Sequence, residues 1–289
     1  MAAHPTLPPG ACDCHVHVVG DTLAYPMVDQ RQYTPGPASL DSLRQHLARN
    51  GLERTVIVQP SFYGTDNSCM LDSLRQLAGA GRGVAVLEPG ASDAQLQALH
   101  AQGVRGLRLN VESSGQSAAK AVSAALAYWA QRLAALPWHI QIYASLDTLM
   151  AVHPTLQSVG LPIVLDHFAM VLGSTALDDA RFHAVQQLVQ SGRAYVKLSA
   201  PYRIQSFAHE APQAVARIAR QYLQANPERV LWGSDWPHTH REPGKSAHEQ
   251  SAYRSVGRDV LQGGLHAWLP SADLRQRVLV DNPAQIYGF

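Results

Sequence analysis

Eight short runs of apolar and β-branched residues recur along the chain, and segments with the spacing of an amphipathic helix separate them. Short apolar runs of this kind are typical of strands buried on both faces of a parallel sheet. Strand and helix therefore alternate, an order that predicts an α/β fold. The runs are ACDCHVHV (11–18), TVIVQP (55–60), GVAVLEP (83–89), VRGLRLNV (104–111), HIQIYA (139–144), PIVLDHFA (162–169), AYVKLSA (194–200) and VLWGSDWP (230–237).

The number of strand–helix units favours a closed (β/α)8 TIM barrel over an open sheet. Such a barrel takes about 250 residues, and this chain has 289 residues without an internal repeat or a low-complexity linker. The sequence predicts a single domain over residues 1–289, with residues 1–10 as a short lead-in. Residues 19–38 and 238–250, which follow the first and eighth strands, should lie over the mouth of the barrel.

Charge and composition restrict the class of partner. The formal net charge is +1, and 18 apolar residues nowhere run together, so neither nucleic acid nor a membrane is expected as a partner. The GxGxxG and phosphate-loop patterns are absent, which disfavours a nucleotide cofactor. Three cysteines without a zinc-site or redox spacing favour a reducing, cytoplasmic location. We expect a small-molecule partner, and a homo-oligomer is compatible with the sequence.

Polar side chains stand where the predicted strands end, and the carboxyl ends of barrel strands carry the chemistry. His15 and His17 end the first strand, His167 ends the sixth and Asp235 ends the eighth. Residues two apart on a strand share a face, so both histidines of the first strand should point into the barrel, with Asp13 beneath them. An isolated His-x-His pair is more often structural, but three independent placements at one rim predict a functional site.

These placements resemble the amidohydrolase superfamily, in which such residues bind one or two divalent metals at the mouth of a (β/α)8 barrel. The resemblance covers nearly the whole chain and implies a hydrolase that opens a lactone of a carboxylated small molecule, in the breakdown of aromatic compounds or sugar acids. Within the superfamily, the sequence resembles the branch that contains 2-pyrone-4,6-dicarboxylate hydrolases and related lactonases. The stretches that carry it are DCHVH, RQYTP, VIVQPSFYGTDN, VRGLRLN, VLDHFA, KLSAPYR, LWGSDWPH and DNPAQIYGF.

The resemblance also implies roles for individual residues. Asp235 would be the general base that activates water, and the three histidines would lie at the reacting carbonyl. The positions that hold substrate carboxylates in this branch correspond to Tyr33, Arg108, Tyr143 and Arg203. For Arg108 an internal ion pair, for example with Glu88, is an equally good explanation, because an unpaired buried charge is costly.

Two positions depart from the pattern of the branch. Met170 stands where those hydrolases have arginine, and His240 stands where they have asparagine. One carboxylate anchor is therefore missing, which argues against the pyrone dicarboxylate itself as the substrate. His240 is a further candidate for substrate contact, whereas His238 is expected to be solvated in its polar loop. Asp166 should point outward or form hydrogen bonds within the barrel wall.

The residues leave the need for a metal open. If a divalent ion such as zinc is bound, its ligands would be His15, His17, His167 and Asp235. Three protein ligands suffice at catalytic zinc sites. The fifth strand, however, places Gln141 and Tyr143 at its top rather than a metal ligand, and the resemblance implies a reaction without metal. We therefore expect no obligatory metal.

Three alternatives to a lactone hydrolase stay open. A lactone isomerase acting on a sugar diacid lactone would use the same base with a substrate hydroxyl in place of water. A metal-dependent decarboxylase of the same superfamily would need a well-occupied divalent ion. A non-catalytic binding protein with a barrel fold would keep its function after Asp235→Asn.

Overall fold

The computed structural model describes residues 6–111, 119–205 and 212–289. Eight parallel strands form one sheet whose order follows the chain, and each strand overlaps one of the apolar runs. Residues 1–5 of the predicted lead-in lie outside the described residues, and the single domain over residues 1–289 stays a prediction. The strands, β1 to β8, are Cys12–Val16, Arg54–Val58, Gly81–Ala85, Val104–Asn110, His139–Tyr143, Ile163–Leu165, Ala194–Leu198 and Val230–Trp232.

The sheet curls until its last strand meets its first. Val16 forms an isolated parallel bridge with Trp236, and the His17 backbone N–H donates to the Trp236 carbonyl at 2.8 Å. Gly233 permits this approach, because a Cβ at that position would lie 2.6 Å from the Cβ of His15. The predicted (β/α)8 barrel is confirmed.

Helices cover the outside of the barrel. At the first of them, the Ser39 side chain accepts from the Ser42 N–H, and Gly51 ends the helix with a φ of 69°. The sequence predicts both the cap and the stop, since serine is a favoured N-cap and glycine adopts the left-handed conformation without strain. The helices, α1 to α11, are Leu40–Asn50, Ser68–Leu77, Asp93–Ala101, Ala119–Arg132, Leu146–Ala151, His153–Ser158, Ala180–Gln190, Pro212–Ala225, Arg258–Trp268, Ala272–Gln276 and Asn282–Tyr287.

Two features of the helical layer differ from the sequence analysis. Residues 145–160, one of the segments with helical spacing between the apolar runs, form two helices, α5 and α6. Pro154 has no backbone N–H to continue the hydrogen-bond ladder and instead stands in the first turn of α6. The helices after β8 were not predicted, although Leu261, Leu265 and Trp268 have helical spacing. Gly263 and Gly264 between them weaken that signal.

The two long loops predicted over the mouth are joined to each other. Thr34–Pro35 pairs in parallel with Gln250–Ser251, and the Tyr33 hydroxyl donates to Oγ1 of Thr239 at 3.0 Å. The loop after β1 and the loop after β8 therefore form one braced wall. No helix among the described residues is both long and apolar enough to span a membrane.

Candidate active site

Two histidines at the end of β1 point into the barrel. The side chains of His15 and His17 are buried, and their ring centroids lie 5.1 Å apart. The prediction that Asp13 lies beneath them is wrong: its Oδ2 is 3.4 Å from Nε2 of His46 on α1, which covers the outside. The register of β1 against β2 shifts between Asp13 and Val16. Across this shift β1 has one more residue than β2, which is a β-bulge. The bulge reverses the alternation of side chains between the two faces of β1, so Asp13 and the two histidines lie on opposite faces.

The backbone of β2 engages one ring nitrogen of His17. Nδ1 lies 2.7 Å from the carbonyl oxygen of Val58, and since a carbonyl only accepts, we assign the hydrogen to Nδ1. In the neutral ring, Nε2 then presents a lone pair, 3.6 Å from Oδ1 of Asp235. His17 is arranged to accept a hydrogen bond from water, or to bind a metal, through Nε2.

The two carboxylate oxygens of Asp235 have different surroundings. Oδ2 accepts from the Tyr202 hydroxyl at 2.7 Å and pairs with Nη2 of Arg203 at 3.0 Å. Oδ1 has no hydrogen-bond partner among the described residues and lies 3.6 Å from Nε2 of both histidines of β1. Burial alone would raise the pKa of Asp235, but the charge of Arg203 holds that pKa well below its ordinary value. Oδ1 is therefore an ionised acceptor that is free to receive a proton.

His167 reaches the same centre from the end of β6. Its ring centroid lies 4.8 Å from that of His15 and 5.1 Å from that of Tyr143, and its Nδ1 is 2.9 Å from Oγ of Ser199. The chain leaves β6 through a left-handed turn, His167–Met170, with φ between 50° and 56° at all four residues. Non-glycine residues occupy this region at an energetic cost, and such strain clusters at functional sites.

The side chain of Asp166 does not point outward, which was one of the two orientations expected from the sequence. Its fully buried carboxylate lies inside the barrel, where Oδ2 accepts from Nη2 of Arg108 at 3.2 Å and from Nε2 of Gln141 at 3.1 Å. Oδ1 is 3.3 Å from Nδ1 of His15. Strand alternation would separate Asp166 from His167, but β6 ends at Leu165, and the left-handed turn brings both side chains inward.

Arg108 is paired internally and also faces the mouth. Its partner is Asp166, whereas Glu88 accepts from the Thr65 hydroxyl elsewhere; the expected ion pair exists, but with a different carboxylate. Arg105 faces away from this centre, as the strand alternation predicts, and donates to the His100 carbonyl.

A cavity of about 750 Å³ opens at the mouth of the barrel. It is lined by all five residues predicted to contact substrate, namely Tyr33, Arg108, Tyr143, Arg203 and His240. His17 and His167 also line it, whereas His15 and Asp235 lie one layer deeper and contact His17. None of the lining residues that the structure describes is acidic. The predicted residues therefore meet in one place, around a cavity with a strong excess of positive charge.

Several functional candidates were missed or misjudged from the sequence. His238 is buried rather than solvated: its Nδ1 lies 3.3 Å from the Tyr202 hydroxyl, and burial lowers the pKa of His238 to about 4. Tyr202, for which no role was predicted, donates to Oδ2 of Asp235. The braced wall adds lining residues that were not predicted, because they approach only when the two loops pair. They are Arg31, Gln32, Thr239, Arg241 and Arg254.

The residues present fit a divalent cation. Among the described residues, one group of possible ligands consists of His15, His17 and Asp235, and a second consists of His15, Asp166 and His167; within each group the ligand atoms lie within 4.8 Å of one another. In the first group, Nε2 of His15 and Oδ1 of Asp235 are buried without a hydrogen-bond partner. Two imidazole nitrogens and one carboxylate oxygen are a ligand set of catalytic zinc sites.

The sequence matches the family model described as "Amidohydrolase" over residues 12–289. It is 32% identical to the 2-pyrone-4,6-dicarboxylate hydrolase of Comamonas testosteroni, in an alignment that covers 97% of this chain and 91% of that protein. It is 30% identical to the 4-sulfomuconolactone hydrolase of Hydrogenophaga intermedia, over 98% of this chain and 90% of that one. Both relatives are thus similar along nearly their whole length.

A solved structure supports the same relationship. The crystal structure of a Pseudomonas putida protein, described as a 2-pyrone-4,6-dicarboxylic acid hydrolase, superposes with a TM-score of 0.77. Its sequence is 32% identical, and the superposition covers 98% of each chain. The similarity therefore extends to the whole barrel as well as to the sequence.

Proposed function

Because this chain belongs to the amidohydrolase family, we propose that its site hydrolyses a lactone that bears acidic groups. The observation that carries the proposal is the environment of Asp235: an ionised carboxylate with one oxygen fixed and the other free, beside histidines at the floor of an arginine-rich cavity. The named relatives act on a dicarboxylate and on a sulfonated lactone. Charge complementarity in the cavity supports an anionic substrate here as well.

The geometry supports Asp235 as the general base. A water molecule between Oδ1 of Asp235 and Nε2 of His17 would give one hydrogen bond to each acceptor and would face the cavity, because His17 lines it. Its oxygen attacks the carbonyl carbon of the lactone while Oδ1 takes the proton. When the tetrahedral intermediate collapses, the ring C–O bond breaks and Asp235 returns the proton to the leaving oxygen.

The developing oxyanion needs donors other than His17. His17 gives its ring hydrogen to Val58, so a neutral His17 cannot donate from Nε2. The ring of His167 and the guanidinium of Arg108, which both line the cavity, are the nearby groups that can donate. Such donors are worth about 3 kcal/mol each when they are aligned with the oxyanion.

A bound divalent ion, held by His15, His17 and Asp235, would supply Lewis-acid polarisation and a more acidic water. Tyr202 and Arg203 would still orient the carboxylate through Oδ2, and Arg108 would still meet the substrate. The assignment of the cavity to an anionic lactone is therefore the same with the ion or without it.

Titration of released acid at constant pH tests the proposal. Purified protein is offered 2-pyrone-4,6-dicarboxylate, carboxy- and sulfomuconolactones and aldarolactones, before and after treatment with a chelator. We expect proton release with at least one of them and loss of that release in Asp235→Asn. Proton NMR of the product distinguishes the ring-opened acid from an isomerised lactone. Failure on the whole panel, with and without added zinc, would refute the proposal.

A further inference from the structure

Five arginines line the cavity, and four of them fall into two groups with different charge partners; the fifth, Arg241, is exposed, and its Nε donates to the Lys245 carbonyl. Arg108 and Arg203, the inner arginines, form ion pairs with Asp166 and Asp235. Arg31 and Arg254, the outer arginines, line the same cavity, yet neither forms an ion pair with any carboxylate in residues 6–111, 119–205 and 212–289. The carboxylates of the described residues therefore leave the charge of the outer arginines uncompensated.

The two outer arginines are held in place by their surroundings. Nε of Arg31 donates to Oγ1 of Thr34 at 2.7 Å, and its Nη1 donates to the Val28 carbonyl at 2.9 Å. The guanidinium of Arg254 lies 5.0 Å from the ring centroid of Tyr202, a cation–π distance. Its backbone N–H donates to the carbonyl of His238 at 3.0 Å.

The wall that carries these arginines is itself braced. Besides the Thr34–Pro35 and Gln250–Ser251 pair, Oγ1 of Thr34 donates to the Ala247 carbonyl at 2.8 Å. The Tyr253 hydroxyl donates to the carbonyl of Gly36. A guanidinium fixed on a stiff wall loses less entropy when it binds an anion than one on a free loop.

The cavity is also large for a single ring. Cavities of about 300 to 1,000 Å³ hold drug-sized ligands, and this one measures about 750 Å³. A lactone ring at His17 and His167 would leave the space between the ring and the braced wall unfilled.

We propose that Arg31 and Arg254 form an outer anion subsite, which binds an acidic group carried on a side chain of the lactone. The inference rests on the proposed function and narrows its substrate class to lactones with one acidic group near the ring and a second, a carboxylate or sulfonate, reaching outward. Arginine suits both groups, because its planar fork donates two parallel hydrogen bonds to an oxyanion.

A matched series of lactones tests the subsite. Each compound is a butenolide with the same ring carboxylate, and its side chain is methyl, carboxymethyl, the methyl ester of carboxymethyl, or sulfomethyl. We expect kcat/KM to be about a hundredfold higher for the acidic side chains than for the neutral ones, since each charged contact is worth about a factor of ten or more. The ratio of the two acidic compounds identifies the preferred oxyanion.

Two variants and a control locate the effect. Arg31→Gln and Arg254→Gln should each lower the preference for acidic side chains about tenfold, through KM rather than kcat, because the lost contact exists in both ground and transition states. In both variants, kcat/KM for the methyl compound should fall much less than kcat/KM for the acidic compounds, because the methyl group forms no charged contact with either arginine. As a control, Arg220→Gln removes the same charge from the exposed side of α8, among residues that do not line this cavity, and should leave the preference for acidic side chains unchanged.

The results of these experiments distinguish a failure of the proposed subsite from a failure of the proposed lactonase activity. Equal kcat/KM for the carboxymethyl compound and its ester would overturn the subsite while the lactonase stands. If no compound is opened, calorimetry compares the binding of the same two compounds. Tighter binding of the acid that is lost in both variants then supports the subsite without the reaction, and equal binding overturns it.

Discussion

His139 gives the protein an acid sensitivity that can be predicted from its burial. The side chain lies at the start of β5, fully buried, with its ring centroid 5.2 Å from that of Tyr287. Neither ring nitrogen has a hydrogen-bond partner among the described residues. Burial lowers the pKa of His139 to about 3, whereas an unfolded histidine titrates near 6.5. Between these values the unfolded chain binds a proton that the folded chain does not, so stability falls as the pH falls below about 6.5.

The size of the effect follows from the two pKa values. At pH 4.5 the unfolded histidine is about two units below its pKa, and each unit is worth about 1.4 kcal/mol, so His139 costs roughly 3 kcal/mol relative to pH 8. His139→Leu removes the titrating ring and keeps an apolar side chain of similar size over Gly106. Urea unfolding gives the free energy of unfolding of both proteins at pH 8 and at pH 4.5. The loss between the two pH values is then compared between the proteins, and contributions from the other buried histidines cancel in this comparison. Equal acid-induced losses in the two proteins would refute the reasoning.

Three further predictions concern the site. Asp166→Asn leaves Arg108 without its buried carboxylate and should lower the free energy of unfolding by about 3 to 5 kcal/mol in urea; a loss under 1 kcal/mol would contradict the ion pair. Asp235→Asn should lower kcat by about 10² to 10⁴ while circular dichroism stays unchanged, and a smaller effect would exclude Asp235 as the base. Gly233→Ala places a Cβ against His15 and should cost about 1 to 3 kcal/mol through overpacking, whereas Gly160→Ala, where a Cβ meets nothing within 4 Å, is the control for the added methyl group.

The barrel was predictable because its strands are short, apolar and separated by helices of the right length. The recurring apolar runs predict where the strands lie. Ser39 and Gly51 determine the two ends of α1, Ser39 by a local hydrogen bond and Gly51 by its backbone freedom. The helices after β8 escaped prediction because two glycines interrupt their apolar face. Their packing against the barrel, which supplies most helix stability, cannot be read from that stretch alone.

The site was predictable to the level of strand ends and no further. Strand alternation brought His15, His17 and Asp235 together correctly, but it failed for Asp13 and Asp166. In the first case a register shift in β1 intervenes, and in the second a left-handed turn after β6. Both irregularities depend on neighbouring strands, so the local sequence does not predict them.

The balance of charges inside the barrel limits the number of acidic groups that a substrate can place there. Two buried cations and the partly buried Arg203 face two carboxylates. With neutral histidines and a protonated Lys197, one positive charge remains; the buried groups are Arg108, Lys197, Asp166 and Asp235. One acidic group of the substrate would neutralise this interior, and a second one there would be repelled by the carboxylates already present. A further acidic group is accommodated better at the mouth, where Arg31 and Arg254 have no carboxylate partner among the described residues. This distribution explains how the site can lack the arginine anchor at Met170 and still suit a substrate with two acidic groups.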